Sequence, residues 1–228
     1  MRRFVSAALL IAGAAVPAHA DCTEEVVKAY EAMAKKPFVR METTMITGTG
    51  PMKMVLEFQT PDRMRQTVTG GGETKTIESI VIGDKAWTQD DKGWYELPPQ
   101  AADEFATFRD QSMGFKDNKV KFDCMGGEKL DGVDVRSYKL LDPTVTINGK
   151  EMPRNPSNNE GIRVYYINSA TGMPERAIYA QKDRLNVPIH RESYSFPEKL
   201  AIDPPAKVQP PPALVNEPQD LTKQPEKK

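Results

Sequence analysis

The spacing of apolar residues changes along this chain, and each change marks an element. From Thr23 onward, Val26, Val27, Tyr30, Met33 and Ala34 recur every three to four positions, which predicts an amphipathic helix. Thr23 suits its cap, Glu24 and Glu25 suit the positive end of its dipole, and Lys35-Lys36-Pro37 ends it. One apolar stripe implies packing on something larger.

After Pro37 the period shortens to two. Strands are predicted at 39–47, 52–59, 63–69, 74–82, 85–89 and 93–97, separated by Gly48-Thr49-Gly50-Pro51, Thr60-Pro61-Asp62, Gly70-Gly71-Gly72, Gly83-Asp84 and Asp90-Asp91-Lys92-Gly93. Connections this short join antiparallel neighbours, so the front half reads as a meander. A helix is predicted at 101–111, with Phe105 and Phe108 on one face, and strands resume at 119–124, 133–141, 162–168, 175–181 and 189–194. The stretch 150–160 reads as a long polar loop. Seven prolines in the last 26 residues, 203–228, predict an extended or disordered tail that cannot join a sheet. The fold class is therefore mainly β (α+β). About eleven strands form one large curved antiparallel sheet, an open, incomplete β-barrel with an N-terminal helix and a short mid-chain helix.

The first twenty residues carry a different pattern. Arg2 and Arg3 precede the apolar run 4–16, then Pro17 and the small-x-small site Ala18-His19-Ala20, which together predict a secretory signal peptide. The mature chain is expected to start at Asp21, in the periplasm, with no transmembrane anchor. Lipidation at Cys22 is the alternative, although Asp21 stands where lipid attachment needs a small residue. The expected organisation is signal peptide 1–20, a single domain 21–202 and a proline-rich tail 203–228.

Cleavage limits the chemistry. His19 leaves with the signal, so His190 is the one histidine of the mature chain, and no Gly-x-Ser-x-Gly elbow or other nucleophile motif accompanies it. The sequence therefore reads as non-enzymatic, without cofactor or metal. Loss of Arg2 and Arg3 takes 31 basic residues to 29 against 32 acidic ones, a net charge of −3. That balance describes a mixed-sign surface rather than a binder of nucleic acid or anionic membranes. Cys22 and Cys124 make an even pair in an oxidising compartment, most simply a disulfide.

The candidate binding surface is an apolar wall. Alternation places Met52, Met54, Leu56 and Phe58 on one face of their strand, with Lys53 and Glu57 on the other. Met41 and Met45 share a face on the preceding strand, and Met64 lies on the next. Thioether side chains are unbranched and polarizable, so such a wall fits chemically varied apolar ligands. Core packing explains the same alternation, and Met-x-Met also suits Cu(I), although no histidine cluster stands beside it. Trp87 and Trp94 flank one turn as cross-strand packing or as rim contacts.

Several phrases in this order resemble a known superfamily. They are Glu57-Phe58-Gln59-Thr60-Pro61-Asp62-Arg63-Met64-Arg65, Ile82-Gly83-Asp84-Lys85-Ala86-Trp87 and Gly93-Trp94-Tyr95-Glu96-Leu97-Pro98, followed by Leu130-Asp131-Gly132-Val133-Asp134-Val135-Arg136-Ser137-Tyr138 and Tyr166-Ile167-Asn168-Ser169-Ala170-Thr171-Gly172-Met173-Pro174-Glu175-Arg176. Together, across 23–200, they resemble the LolA/LolB-like periplasmic lipoprotein carriers and their RseB-type relatives. The resemblance implies an open barrel over a helical lid, with an apolar cavity for a lipid, a lipoprotein acyl group or another hydrophobic ligand. The alternative it leaves open is an envelope-stress or assembly module that binds a protein partner.

Overall fold

α1 (Cys22–Ala34) begins one residue earlier than its periodicity suggests, because Asp21 takes the cap and accepts a hydrogen bond from the Thr23 N–H at 2.9 Å. Thr23, the expected cap, turns to the sheet instead and accepts the Phe122 N–H through its hydroxyl at 3.1 Å. The computed structural model describes residues 21–71, 73–115, 120–141, 144–147, 150–153 and 161–210. The signal peptide expected at 1–20 and the tail beyond 210 lie outside the described residues.

The meander forms as its turns dictate: β1 (Phe38–Thr47), β2 (Gly50–Gln59), β3 (Arg63–Gly70), β4 (Glu73–Ile82), β5 (Lys85–Asp90) and β6 (Gly93–Glu96). α2 (Pro99–Ser112) follows, then β7 (Lys121–Leu130), β8 (Val133–Leu141), β9 (Thr144–Ile147), β10 (Lys150–Pro153), β11 (Gly161–Asn168), β12 (Pro174–Gln181), β13 (His190–Ser195) and β14 (Val208–Gln209). Twelve strands make one sheet in the order β14-β6-β5-β4-β3-β2-β1-β13-β12-β11-β8-β7. β1 pairs with β13, which joins two meanders, while β14 and β7 remain as separate edges. The sheet is open, and every pair within it is antiparallel except β14 with β6.

Both helices lie on one face, the inner one. From α1, Val26, Ala29, Tyr30 and Met33 bury against it at 5% exposure or less. Tyr30 meets Tyr165 and Tyr194 edge-on at 5.9 and 5.8 Å and Phe115 at 4.8 Å. Such contacts each add about 0.5–1.5 kcal/mol beyond the area they bury. The first turn of α1 is also stitched to the sheet. Cys22 is bridged to Cys124, Arg136 donates to Glu25 at 2.7 Å, and the Tyr138 hydroxyl donates to the same carboxylate. Burial first, and that hydrogen bond second, hold the Tyr138 phenol well above its ordinary pKa.

Four expectations fail, each for a local reason. Part of the polar loop expected at 150–160 is a strand, since β10 pairs with β9 in a separate two-stranded sheet; Asn148-Gly149 between them is a hairpin signal that the surrounding prolines and charges outweighed. Residues 154–160 lie outside the described residues. β7 continues past Cys124 to Leu130 because a bulge at Cys124/Gly126, with Gly126 at φ +121°, absorbs the glycines that read as a stop. On α2, Phe105 packs on the core but Phe108 is 37% exposed, so the two do not share a buried face. The proline-rich segment does join the sheet: Val208 and Gln209, which keep their N–H groups, pair with Trp94 and Tyr95.

The bridge closes a separation of 102 residues, which in the chain-entropy model removes about 4–5 kcal/mol from the denatured state. Cys22→Ser or Cys124→Ser is expected to lower unfolding stability by about 2–5 kcal/mol in urea titrations while the fold persists, because Glu25 still ties α1 to β8. Unchanged midpoints in both variants would show that the bridge constrains nothing.

Candidate functional site

Strand register assembles the inward side chains into rows that run across the sheet. The deepest row is Val39, Phe58, Met64, Val81 and Ala86, paired in that order and nowhere more than 2% exposed. Next come Tyr194, Met41, Leu56, Gln66, Ser79 and Thr88. The third row is Glu192, Thr43, Met54, Val68 and Ile77, where Thr43 is still sealed but Met54 is half-buried and Ile77 is 41% exposed. The outermost row is Arg163, Tyr179, His190, Met45 and Met52, with both methionines half-buried. The inner face thus grades from a sealed core to an open end.

This gradient divides the predicted wall. Met41, Leu56, Phe58 and Met64 belong to the sealed rows, whereas Met45, Met52 and Met54 stand at the open end. Trp87 and Trp94 are elsewhere. Ala86 faces inward, so alternation turns Trp87 to the outer face, where it packs with Ile80 and Ile202, and Trp94 joins that cluster. The outer cluster is covered by the C-terminal segment, fastened where Arg63 donates to the Ile202 carbonyl at 2.6 Å and the Ile202 N–H donates to Gln59 at 3.0 Å. Neither tryptophan touches the inner face's apolar wall.

Beside the methionines lies a polar group that sequence reasoning missed. The Tyr30 hydroxyl donates to the Tyr194 hydroxyl at 2.8 Å, which donates to the Glu192 carboxylate at 2.7 Å. His190 Nε2 stands 3.5 Å from the other oxygen of that carboxylate. Burial raises the pKa of both tyrosines well above the ordinary phenol value, so they stay neutral hydrogen-bonding groups. Burial likewise holds the His190 imidazole below its ordinary pKa; the Glu192 carboxylate opposes that shift and the Arg163 charge adds to it. The only sequence signal was the polar alternation His190, Glu192, Tyr194 within β13, since Tyr30 and Arg163 arrive from other elements.

Chemically, the open end offers thioethers that adapt to apolar groups, bordered on one side by phenols, an imidazole and a carboxylate. That combination can hold an amphiphile. Among the described residues, no group of three or more His, Cys, Asp or Glu side chains converges in a geometry that could hold a metal ion. At the other end of the sheet a cleft of about 480 Å³ opens between the C-terminal ends of the two helices. It is crossed by Arg109, whose guanidinium donates to the carbonyls of Asp62 and Gly83 at 2.8 Å each and pins α2 to two hairpin turns.

The depressed His190 pKa predicts a sign for acid sensitivity. Stability is complete above the unfolded histidine value and declines as pH falls through about 6.5, because the unfolded chain then binds the proton more readily. His190→Gln is expected to flatten that decline in urea midpoints measured from roughly pH 7.5 to 5. An identical slope in the variant would contradict a His190 held neutral by burial.

No family model and no curated protein matches the sequence. Solved structures do. Lipoprotein LppX of Mycobacterium tuberculosis superposes with a TM-score of 0.51 at 14% identity, covering 80% of this chain and 98% of that one. LprF from Mycobacterium bovis superposes with a TM-score of 0.52 at 11% identity, covering 82% of this chain and 97% of that one. At these identities the likeness concerns the backbone alone, and it runs nearly the whole length of LppX and LprF and about four-fifths of this chain. The chain has the fold of LppX and LprF, here an open sheet with helices on its inner face.

Proposed function

We propose that this protein is a non-enzymatic periplasmic binding protein or carrier for a hydrophobic ligand, a lipid or a lipoprotein acyl group. The observation that carries the proposal is the open end of the inner face, where Met45, Met52 and Met54 stay half-buried although the sheet has sealed its deeper rows. A folded protein that leaves a connected apolar patch partly open commonly uses it. The polar edge formed by Glu192, His190 and Tyr179 suits the head of an amphiphile, with its chain along the methionines. In this reading residues 1–20 direct export, 21–202 form the binding domain, and the proline-rich tail continues from a strap along the outer face.

A second reading has its own support. Val39, Phe58, Met64, Val81 and Ala86 fill the space beneath the helices at 0–2% exposure, so among the described residues the deep part of the sheet is packed core. A filled core favours a module that binds an envelope protein on its surface.

One pair of measurements separates the two. Protein purified without detergent is extracted for mass spectrometry and titrated with a fluorescent fatty acid. The carrier reading expects bound lipid and saturable probe uptake. Met52→Glu and Met54→Glu should then weaken uptake about tenfold or more, equivalent to ~1.4 kcal/mol, with little loss of stability at these half-wet positions. Met64→Glu, in the sealed row, should unfold the protein or cost several kcal/mol. No extractable lipid and no uptake by the wild type would hand the site to the protein-partner reading.

A further inference from the structure

The rim of the open end carries apolar side chains that no part of the described fold covers. Ile46, near the end of β1, is 66% exposed, Val187 64% and Ile189 41%. Ile46 and Ile189 are held together: the Ile46 N–H donates to the Ile189 carbonyl at 3.0 Å, and β-pairing sets Ile46 opposite Pro51. With Pro188, Ile46 and Ile189 border a shallow cleft of about 300 Å³, and Val187 is the residue next to Pro188 in the chain.

The loop that presents Val187 is built rather than loose. Its Leu185 packs into the outer cluster of Val164 and Ile178, the Val187 N–H donates to the Arg184 carbonyl, and the Ile189 N–H donates to the Tyr179 carbonyl, each at 3.0 Å or less. A loop that packs one aliphatic side chain, Leu185, half-buried while fixing two others in solvent displays them. Basic residues surround the display. Lys182, Arg184 and Arg191 are exposed and Lys53 lies beside the cleft, while the carboxylates described near them are all partnered: Glu42 to Lys53 at 2.8 Å, Asp183 to Arg184 at 3.9 Å, Asp131 to Arg176 at 2.6 Å, and Glu192 to the Tyr194 hydroxyl at 2.7 Å. Among the described residues, Lys53, Arg163, Arg176, Lys182, Arg184 and Arg191 against Glu42, Asp131, Asp183 and Glu192 leave this end net positive.

We propose that this rim docks the protein on an anionic phospholipid bilayer, with Ile46, Val187 and Ile189 at the acyl boundary and the basic side chains among the headgroups. Apolar tips within a basic collar are the pattern that such a surface attracts. The net charge, −1 for the whole chain and −3 without residues 1–20, does not oppose it, because attraction to a membrane decays within a Debye length and is set by the nearest charges. The proposal rests on reading the open end as the ligand's entrance. The same strands that carry Ile46 and Ile189 to the rim carry Met45 and His190 in the outermost row, so docking would set that row against the lipid.

The test is cosedimentation of the oxidised, mature protein with vesicles of phosphatidylglycerol mixed with phosphatidylcholine, and with phosphatidylcholine alone. The wild type should bind the mixed vesicles, weaken with salt and bind the neutral ones poorly. Ile46→Asp and Val187→Asp, at exposed positions that leave the fold intact, should each lower partitioning about tenfold or more. The double variant Lys182→Gln with Arg184→Gln should do likewise through lost headgroup attraction. Fatty-acid probe uptake is measured in the same variants and should stay at the wild-type level. Absence of binding to mixed vesicles, equal binding by the variants, or an Ile46→Asp variant that merely turns a wild-type dimer into monomers would each overturn the docking. Intact vesicle binding without probe uptake by the wild type would leave the docking standing and remove the carrier reading.

Discussion

A sheet of twelve strands that does not close on itself has an apolar inner face that water would otherwise reach, and α1 is the element that prevents this. Its buried stripe, Val26, Ala29, Tyr30 and Met33, does what the opposite wall of a closed barrel would do. The rest of the architecture keeps that helix in place. Asp21 starts it, Cys22 bridges it to β7, Thr23 accepts from β7, and Glu25 is held by Arg136 and Tyr138 of β8. Five consecutive residues, 21–25, thus supply four separate fastenings, which is why so short a helix can hold against so large a surface.

The same constraint accounts for the site. Helices cover the inner face only along part of its length, so successive rows pass from Phe58 and Met64, sealed, through Thr43 and Met54 to Met45 and Met52, half open. Where the cover thins, polar groups become affordable on the inner face, and the Tyr30, Tyr194, Glu192 and His190 chain occupies that boundary. The outer face shows a complementary solution. There the apolar surface around Trp87 and Ile80 is closed by Leu200 and Ile202 on a strap that ends as a two-residue parallel strand beside β6.

The meander and both helices were legible because their causes are local: period-two alternation, glycine- and aspartate-bearing turns, and a three-to-four apolar stripe ended by proline. The wall of methionines was legible as one face for the same reason. Which of its members were core and which were open was not, since Phe58 and Met54 look alike along β2 and differ only in how far the helices reach over them. Trp87 was left between packing and rim contact because its own strand does not declare which face is inner; the neighbouring Ala86, small enough to lie beneath the helices, decides for packing on the outer face. The strand β14 was missed because proline content was read for the whole segment, while pairing needs only the free N–H groups of two residues.

By itself, then, the sequence determined what short-range chemistry determines: the type of the long elements, strand alternation, most turn positions and the oxidisable cysteine pair. Tertiary structure decided what depends on partners far along the chain. Tyr30 meets Tyr194 across 164 residues, Arg63 meets Ile202 across 139, and Cys22 meets Cys124 across 102. The physical reason is that alternation gives each strand two faces but no label for them, and only the docking of α1 and the C-terminal strap on opposite sides makes one face a graded site and the other a closed surface.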